Sequence, residues 1–220
     1  MKKPDAGPHV FTREIAEKYD SYYSTEMGRK VDILEKKAVD ELIRNLPKTE
    51  LLEIGCGTGH WTDHFAARGF SVTATDPSEH MIHGARGRWS RKTFVRTSAE
   101  SLPFPDGAFP AVAAITVFEF LEDPAAAVRE ILRVLKPGGF FIGGFLNAAS
   151  ELAKNVDADP VLSRGRLMTE AAVRDLLAPF ACRETRTCVH FSPALEILDG
   201  SPRASAFPPA FIAVRAEKEV

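Results

Sequence analysis

The chain has 220 residues, of which 28 are basic and 30 acidic, for a formal charge of −2. That length suits one α/β domain and leaves little room for two. The balanced charge lacks the basic excess that marks a nucleic-acid binder. A hydrophobic fraction of 45% supplies one real core, so the chain is not globally disordered. No apolar run approaches the ~18 residues of a membrane span. The opening MKKPDAGPHVF has no apolar stretch of the kind a secretory signal needs. Cys56, Cys182 and Cys188 cannot all pair and lack a CxxC spacing. These features predict a reduced, cytoplasmic protein.

In chain order, all three tyrosines, Tyr19, Tyr22 and Tyr23, come first in one short cluster. Val31, Leu34, Ala38 and Leu42 then recur at helical spacing and predict a helix over 31–46, ended by Pro47. Leu51 to Ile54 reads as a strand entering a glycine loop. A helix over 60–68 follows, with Gly69 as its stop. Ser71 to Thr75 is a second strand, and Ser78 suits the N-cap of a helix reaching about Arg86. Thr93 to Thr97 is a third strand, 101–110 is loop, and the apolar run 111–117 is a buried fourth strand.

Asp123-Pro124 starts the next helix, which Lys136-Pro137-Gly138-Gly139 stops before a strand over 140–146. Thr169 caps a helix to Leu177. Residues 183–191 and 211–215 are late strands with no helix between them, so they should pair antiparallel at one sheet edge. Strands alternating with helices predict an α/β, Rossmann-like, doubly wound sheet.

The segment Glu53-Ile54-Gly55-Cys56-Gly57-Thr58-Gly59 joins a predicted strand to a predicted helix. Glycines there allow a sharp turn and a close ligand approach. A phosphate-binding P-loop needs Gly-Lys-Ser/Thr, and this chain has Gly59-His60-Trp61. The dinucleotide fingerprint GxGxxG needs a third glycine where His60 stands. What remains is GxGxG with Glu53 two positions before it.

That arrangement resembles the class I S-adenosylmethionine-dependent methyltransferases, and the resemblance continues in register. Asp76 ends the second strand 21 positions after Gly55. Ser98 to Phe104 is similar to the family's adenine-side segment. Val117 to Pro124 and Arg133 to Gly139 are similar to the segments after the fourth strand and before the fifth. Pro110 departs from the Asp usual before the fourth strand. The small-molecule branch, which includes the ubiquinone and menaquinone biosynthesis methyltransferases, is the most similar.

The resemblance implies a seven-stranded sheet, mostly parallel with one antiparallel edge strand. It implies an enzyme that binds S-adenosyl-L-methionine and methylates a small molecule by in-line displacement. A cofactor-binding protein without transfer is the alternative. One domain spans 1–220, with a helical cap at 1–47, a cofactor-binding core at 48–146, a substrate lid at 147–168 and a C-terminal helix and strand pair at 169–220.

Gly55, Cys56 and Gly57 are expected at the methionine part of the cofactor, with Glu53 in the same motif. Asp76 is expected at the ribose, Pro77 and Met81 flanking the adenine, and Ala99 and Glu100 beside it. Thr116 and Phe120 are expected near the methionine end, with Tyr19 and Tyr23 folding over the pocket. Tyr23, Glu119 and His190 are the candidates for a catalytic base. The pairs His60/His64 and His80/His83 lack a third ligand at motif spacing, so no metal is expected. Neither a nucleic acid nor a membrane is expected as partner, and the sequence leaves the oligomeric state open.

Overall fold

The structure is a computed structural model and describes residues 10–88, 93–181 and 183–220. Residues 1–9, within the opening segment read for a signal, and Cys182 lie outside the described residues. The strands are β1 (Glu50–Ile54), β2 (Ser71–Asp76), β3 (Thr93–Arg96), β4 (Phe109–Ile115), β5 (Leu135–Leu146), β6 (Arg183–His190) and β7 (Pro209–Glu217). They form one seven-stranded sheet in the order β3-β2-β1-β4-β5-β7-β6. Neighbours from β3 to β5 are parallel, and β7 runs antiparallel to both β5 and β6. The strand that opposes the rest therefore sits one place in from the edge, with β6 outermost.

Strand alternation builds two hydrophobic layers. Leu51, Ala111, Ala113, Phe140 and Ile142 face one core, with Val39 and Leu42 of α3 (Glu26–Ile43) and Phe65 of α4 (His60–Ala67). Leu52, Val112, Ala114 and Phe141 face the other, with Val128 and Ile131 of α6 (Pro124–Val134) and Val173 of α7 (Glu170–Leu176). Each buried Leu, Ile or Phe contributes about 1.5–3 kcal/mol of transfer free energy. The predicted core elements are present.

Two element starts differ by five residues from the sequence reading. Helix α3 starts at Glu26, five positions before Val31, because the Thr25 side chain caps it by accepting from Gly28 N at 2.9 Å. A Cβ on Gly28 would meet Tyr22 O at 2.0 Å, so the helix start is wedged against α2 (Ser21–Ser24). β5 begins at Leu135 rather than Phe140, because Leu135 pairs with Phe109 across an irregularity in register. The Lys136–Gly139 turn therefore lies within the strand bounds. Before α2 stands α1 (Arg13–Lys18), a further short helix without apolar periodicity to announce it.

Candidate active site

Parallel strands all end on the same side of the sheet, and the order in which strands are added reverses between β1 and β4. That crevice is where such folds bind ligands. A cavity of about 520 Å³ opens there, within the range of a small-molecule site. Residues after β1, β2, β3 and β4 line it, and α1 and α2 cover it with Tyr19 and Tyr23.

The glycine loop leaves β1 with Gly55 at φ +67° and Gly57 at φ +54°, and Gly59 at φ +91° precedes α4. A Cβ on Gly55 would lie 2.4 Å from Val117 Cγ2, so only glycine fits between the β1 and β4 loops. Asp76, 6% exposed, braces this loop. Its Oδ2 accepts from Gly57 N at 2.9 Å and its Oδ1 from Ser78 N at 2.8 Å. Each oxygen keeps a second lone pair, which suits a vicinal diol as donor. Burial pushes the Asp76 carboxyl up to about 6, against the pull of those two N–H groups. Thr116, a β-branched residue at φ +52°, ends β4 at the cavity wall. Strain of this kind clusters at functional sites.

Of the expected cofactor residues, Tyr19, Tyr23, Gly55, Cys56, Gly57, Asp76, Pro77, Met81, Ala99, Glu100, Thr116 and Phe120 all line the cavity. Glu53 does not. Strand alternation turns it to the face of Leu51, where it is 2% exposed and accepts from Thr62 Oγ1 of α4 at 2.5 Å. It ties the strand to the helix on either side of the glycine loop, so its position corrects the expectation that it lines the site.

The three candidates for a base separate. His190 lies outside the cavity lining, with Nδ1 3.2 Å from Asp199 Oδ1. Glu119 is also outside it and fully buried. Its Oε1 accepts from Leu146 N at 2.6 Å, and its Oε2 has no hydrogen-bond partner among the described residues. Burial pushes this carboxyl up to about 7. Tyr23 lines the cavity, but burial, together with Tyr19, Glu35 and Asp32, drives its phenol far above the ordinary range. It keeps its proton at neutral pH and serves as a wall.

Among the cavity residues that the sequence reading did not assign to the site are Phe11, His60 and Trp61. His60 is held by α3, with Nε2 2.7 Å from Asp32 Oδ1, and Tyr23 stacks on it at 3.7 Å and 9°. His64 instead meets Asp40 at 2.9 Å, so the i,i+4 pair is split between two carboxylates. Among the described residues no cluster of three or more His, Cys, Asp or Glu could hold a metal. Among the described residues, the lining contains four carboxylates, Asp76, Glu100, Glu122 and Asp123, and neither Lys nor Arg.

A methyltransferase-domain family model matches residues 52–143. A S-adenosylmethionine-dependent methyltransferase of Thermotoga maritima, described as a possible histamine N-methyltransferase, superposes with a TM-score of 0.76 at 25% identity, covering 96% of this chain and 99% of that one. Residues 52–143 thus match the methyltransferase-domain family, within a fold shared with that S-adenosylmethionine-dependent methyltransferase.

The chain is 33% identical over 141 residues to the demethylmenaquinone methyltransferase of Clavibacter sepedonicus, covering 63% of this chain and 57% of that one. It is 35% identical over 104 residues to the malonyl-[acyl-carrier protein] O-methyltransferase of Serratia marcescens, covering 47% and 41%. The chain thus spans less than two thirds of the length of these curated relatives. The matched residues 52–143 run from β1 into β5 and hold the glycine loop, Asp76 and Glu100. The covering helices α1 and α2 lie outside that match. Among the described residues, no helix is long and apolar enough to cross a membrane.

Proposed function

We propose that this chain binds S-adenosyl-L-methionine in the cavity and transfers its methyl group to a small-molecule acceptor. The observation that carries the reading is the convergence of the glycine loop, the Asp76 carboxylate and the Ala99–Glu100 segment on one cavity. Backbone groups of Gly55, Cys56 and Gly57 hold the methionine part, and Asp76 takes the ribose hydroxyls. Pro77, Met81, Ala99 and Glu100 enclose the adenine. When bound, the cofactor supplies a methyl carbon already activated by a sulfonium. An acidic lining without Lys or Arg, interleaved with aromatic rings, suits a cation of that kind.

Thr116 and Phe120 bound the methionine end, and Tyr19 and Tyr23 exclude water above it. Holding the acceptor in line can lower the barrier by ~7–11 kcal/mol. The acceptor lies beneath the N-terminal cap and the 147–168 segment, in one domain over 1–220. The names of the menaquinone and acyl-carrier-protein relatives support a small or carrier-borne acceptor. The free, buried thiols of Cys56 and Cys188 support a cytoplasmic setting.

Calorimetric titration with S-adenosylmethionine and S-adenosylhomocysteine tests the reading. Micromolar binding of both is expected, and Asp76→Ala should weaken it at least tenfold, about 1.4 kcal/mol. Absence of binding at millimolar ligand overturns the assignment. Binding with no turnover against any acceptor favours a module that has lost transfer.

A further inference from the structure

We propose that His60, oriented by Asp32, takes the proton that a hydroxyl or amine acceptor loses as it is methylated. The inference rests on the transfer reading above and adds a catalytic residue and an acceptor class to it. Three observations carry it. His60 lines the cavity, where Glu119 and His190 do not. Its Nε2 lies 2.7 Å from Asp32 Oδ1. Tyr23, itself a cavity residue, stacks on its ring.

The carboxylate settles the tautomer. Burial works against the Asp32 charge, but hydrogen bonds from His60 and Lys36 outweigh it and hold the carboxyl below its ordinary range. An ionised carboxylate only accepts, so the 2.7 Å contact calls for the proton on Nε2, with the Lys36 ammonium donating to Asp32 and not to the ring. Nδ1 is left with a lone pair and has no hydrogen-bond partner among the described residues. Helix α3 also brings Lys36, with Nζ 2.8 Å from Asp32 Oδ2 and 2.9 Å from His60 Nε2. Tyr23 faces the ring as a neutral phenol, and Glu35 of α3 lies close enough to raise that phenol further. On α4 itself, His64 is turned away to Asp40.

The step balances. The lone pair of the acceptor's oxygen or nitrogen forms a bond to the methyl carbon. The carbon–sulfur bond breaks, and its electron pair stays on sulfur, which becomes a neutral thioether. The acceptor's proton passes to Nδ1, and the resulting imidazolium faces Asp32. A base of this kind is worth roughly 10²–10⁴ in rate.

The test has two arms. Long-range ¹H–¹⁵N correlation spectra of the protein bound to S-adenosylhomocysteine should show His60 protonated on Nε2 and bare on Nδ1, and Asp32→Asn should disturb that state. A proton on Nδ1 instead overturns the proposal without touching the cofactor reading, which fails separately if S-adenosylhomocysteine does not bind. In turnover against a panel of substituted phenols and primary amines, His60→Gln should lower kcat at least 100-fold with the cofactor KM within threefold. Free imidazole should restore part of the rate to His60→Ala. Full activity in His60→Gln, or no rescue of a folded, cofactor-binding His60→Ala, rejects it.

Discussion

The two sides of the cavity are held by different kinds of contact. On the cofactor side, the walls are strand ends and the glycine loop, and their positions follow from parallel pairing of β1 with β2 and β4. On the acceptor side, the walls are side chains of the N-terminal helices, held by a few contacts across long stretches of chain. Thr58 Oγ1 donates to Asp20 Oδ1 at 2.7 Å, Ser78 Oγ donates to Phe11 O at 2.9 Å, and His60 meets Asp32. Backbone pairing makes the first side stiff. The second, held by few contacts, is the side expected to open at the lower free-energy cost.

Substitutions on each side sharpen this contrast. The largest effect is expected at Gly55. Alanine there meets Val117 at 2.4 Å and a φ of +67°, so it should cost roughly 3 kcal/mol in urea unfolding. It should also abolish S-adenosylhomocysteine binding. A stable, binding-competent Gly55→Ala would mean that the loop is looser than its geometry.

Next is Glu119, behind the acceptor side. Its folded carboxyl titrates near 7, against 4.5 for the unfolded chain, so ionisation destabilises the fold progressively between those values and fully above them. Glu119→Gln should therefore gain about 2–3 kcal/mol at pH 8 and less than about 1 kcal/mol at pH 5. Equal gains at both pH values in denaturant melts would place the effect in packing.

Asp76 gives a smaller, pH-dependent effect on the cofactor side. Its raised carboxyl is protonated below about pH 6, and only the ionised form accepts two further donors. Cofactor affinity should be flat above pH 7 and fall about tenfold per unit well below pH 6, as read by calorimetry. The same raised value makes this group favour the folded, ligand-free protein as the pH drops from 7 to 4, opposite in sign to ordinary acid unfolding. The smallest effect is expected at Asp20. Asp20→Ala removes the Thr58 contact and should cost about 1 kcal/mol. Faster limited proteolysis between α1 and α3, with unchanged stability of the sheet, would locate that loss in the cap.

Much of the cofactor side was legible in the sequence. GxGxG, Asp76 and the segment from Ser98 each follow a strand directly, so reading the strand also places the residue. Ten of the twelve expected residues that line the cavity lie on this side, and the other two, Tyr19 and Tyr23, belong to the N-terminal segment. Glu53 was misplaced because a motif spacing carries no face, whereas the alternation of β1 turns it under the loop. His60 was read beside His64 as an i,i+4 pair. Helical spacing puts two side chains on one face, but it does not say which carboxylate each one meets.

The amino-acid sequence by itself determined the order of strands and helices, the glycine loop and the acid at the end of β2. These depend on propensities and contacts within one crossover unit. Only the tertiary structure decided that Asp32 meets His60, that Tyr23 stacks on that ring, and that Glu119 is buried with one oxygen unpartnered. Those contacts join residues 28, 37 and 27 positions apart, counting Asp32 to His60, Tyr23 to His60 and Glu119 to Leu146. They exist because α3 packs across the sheet beside α4 and because β5 ends next to the loop after β4. Packing of whole elements sets such distances, and no local pattern along the chain encodes them.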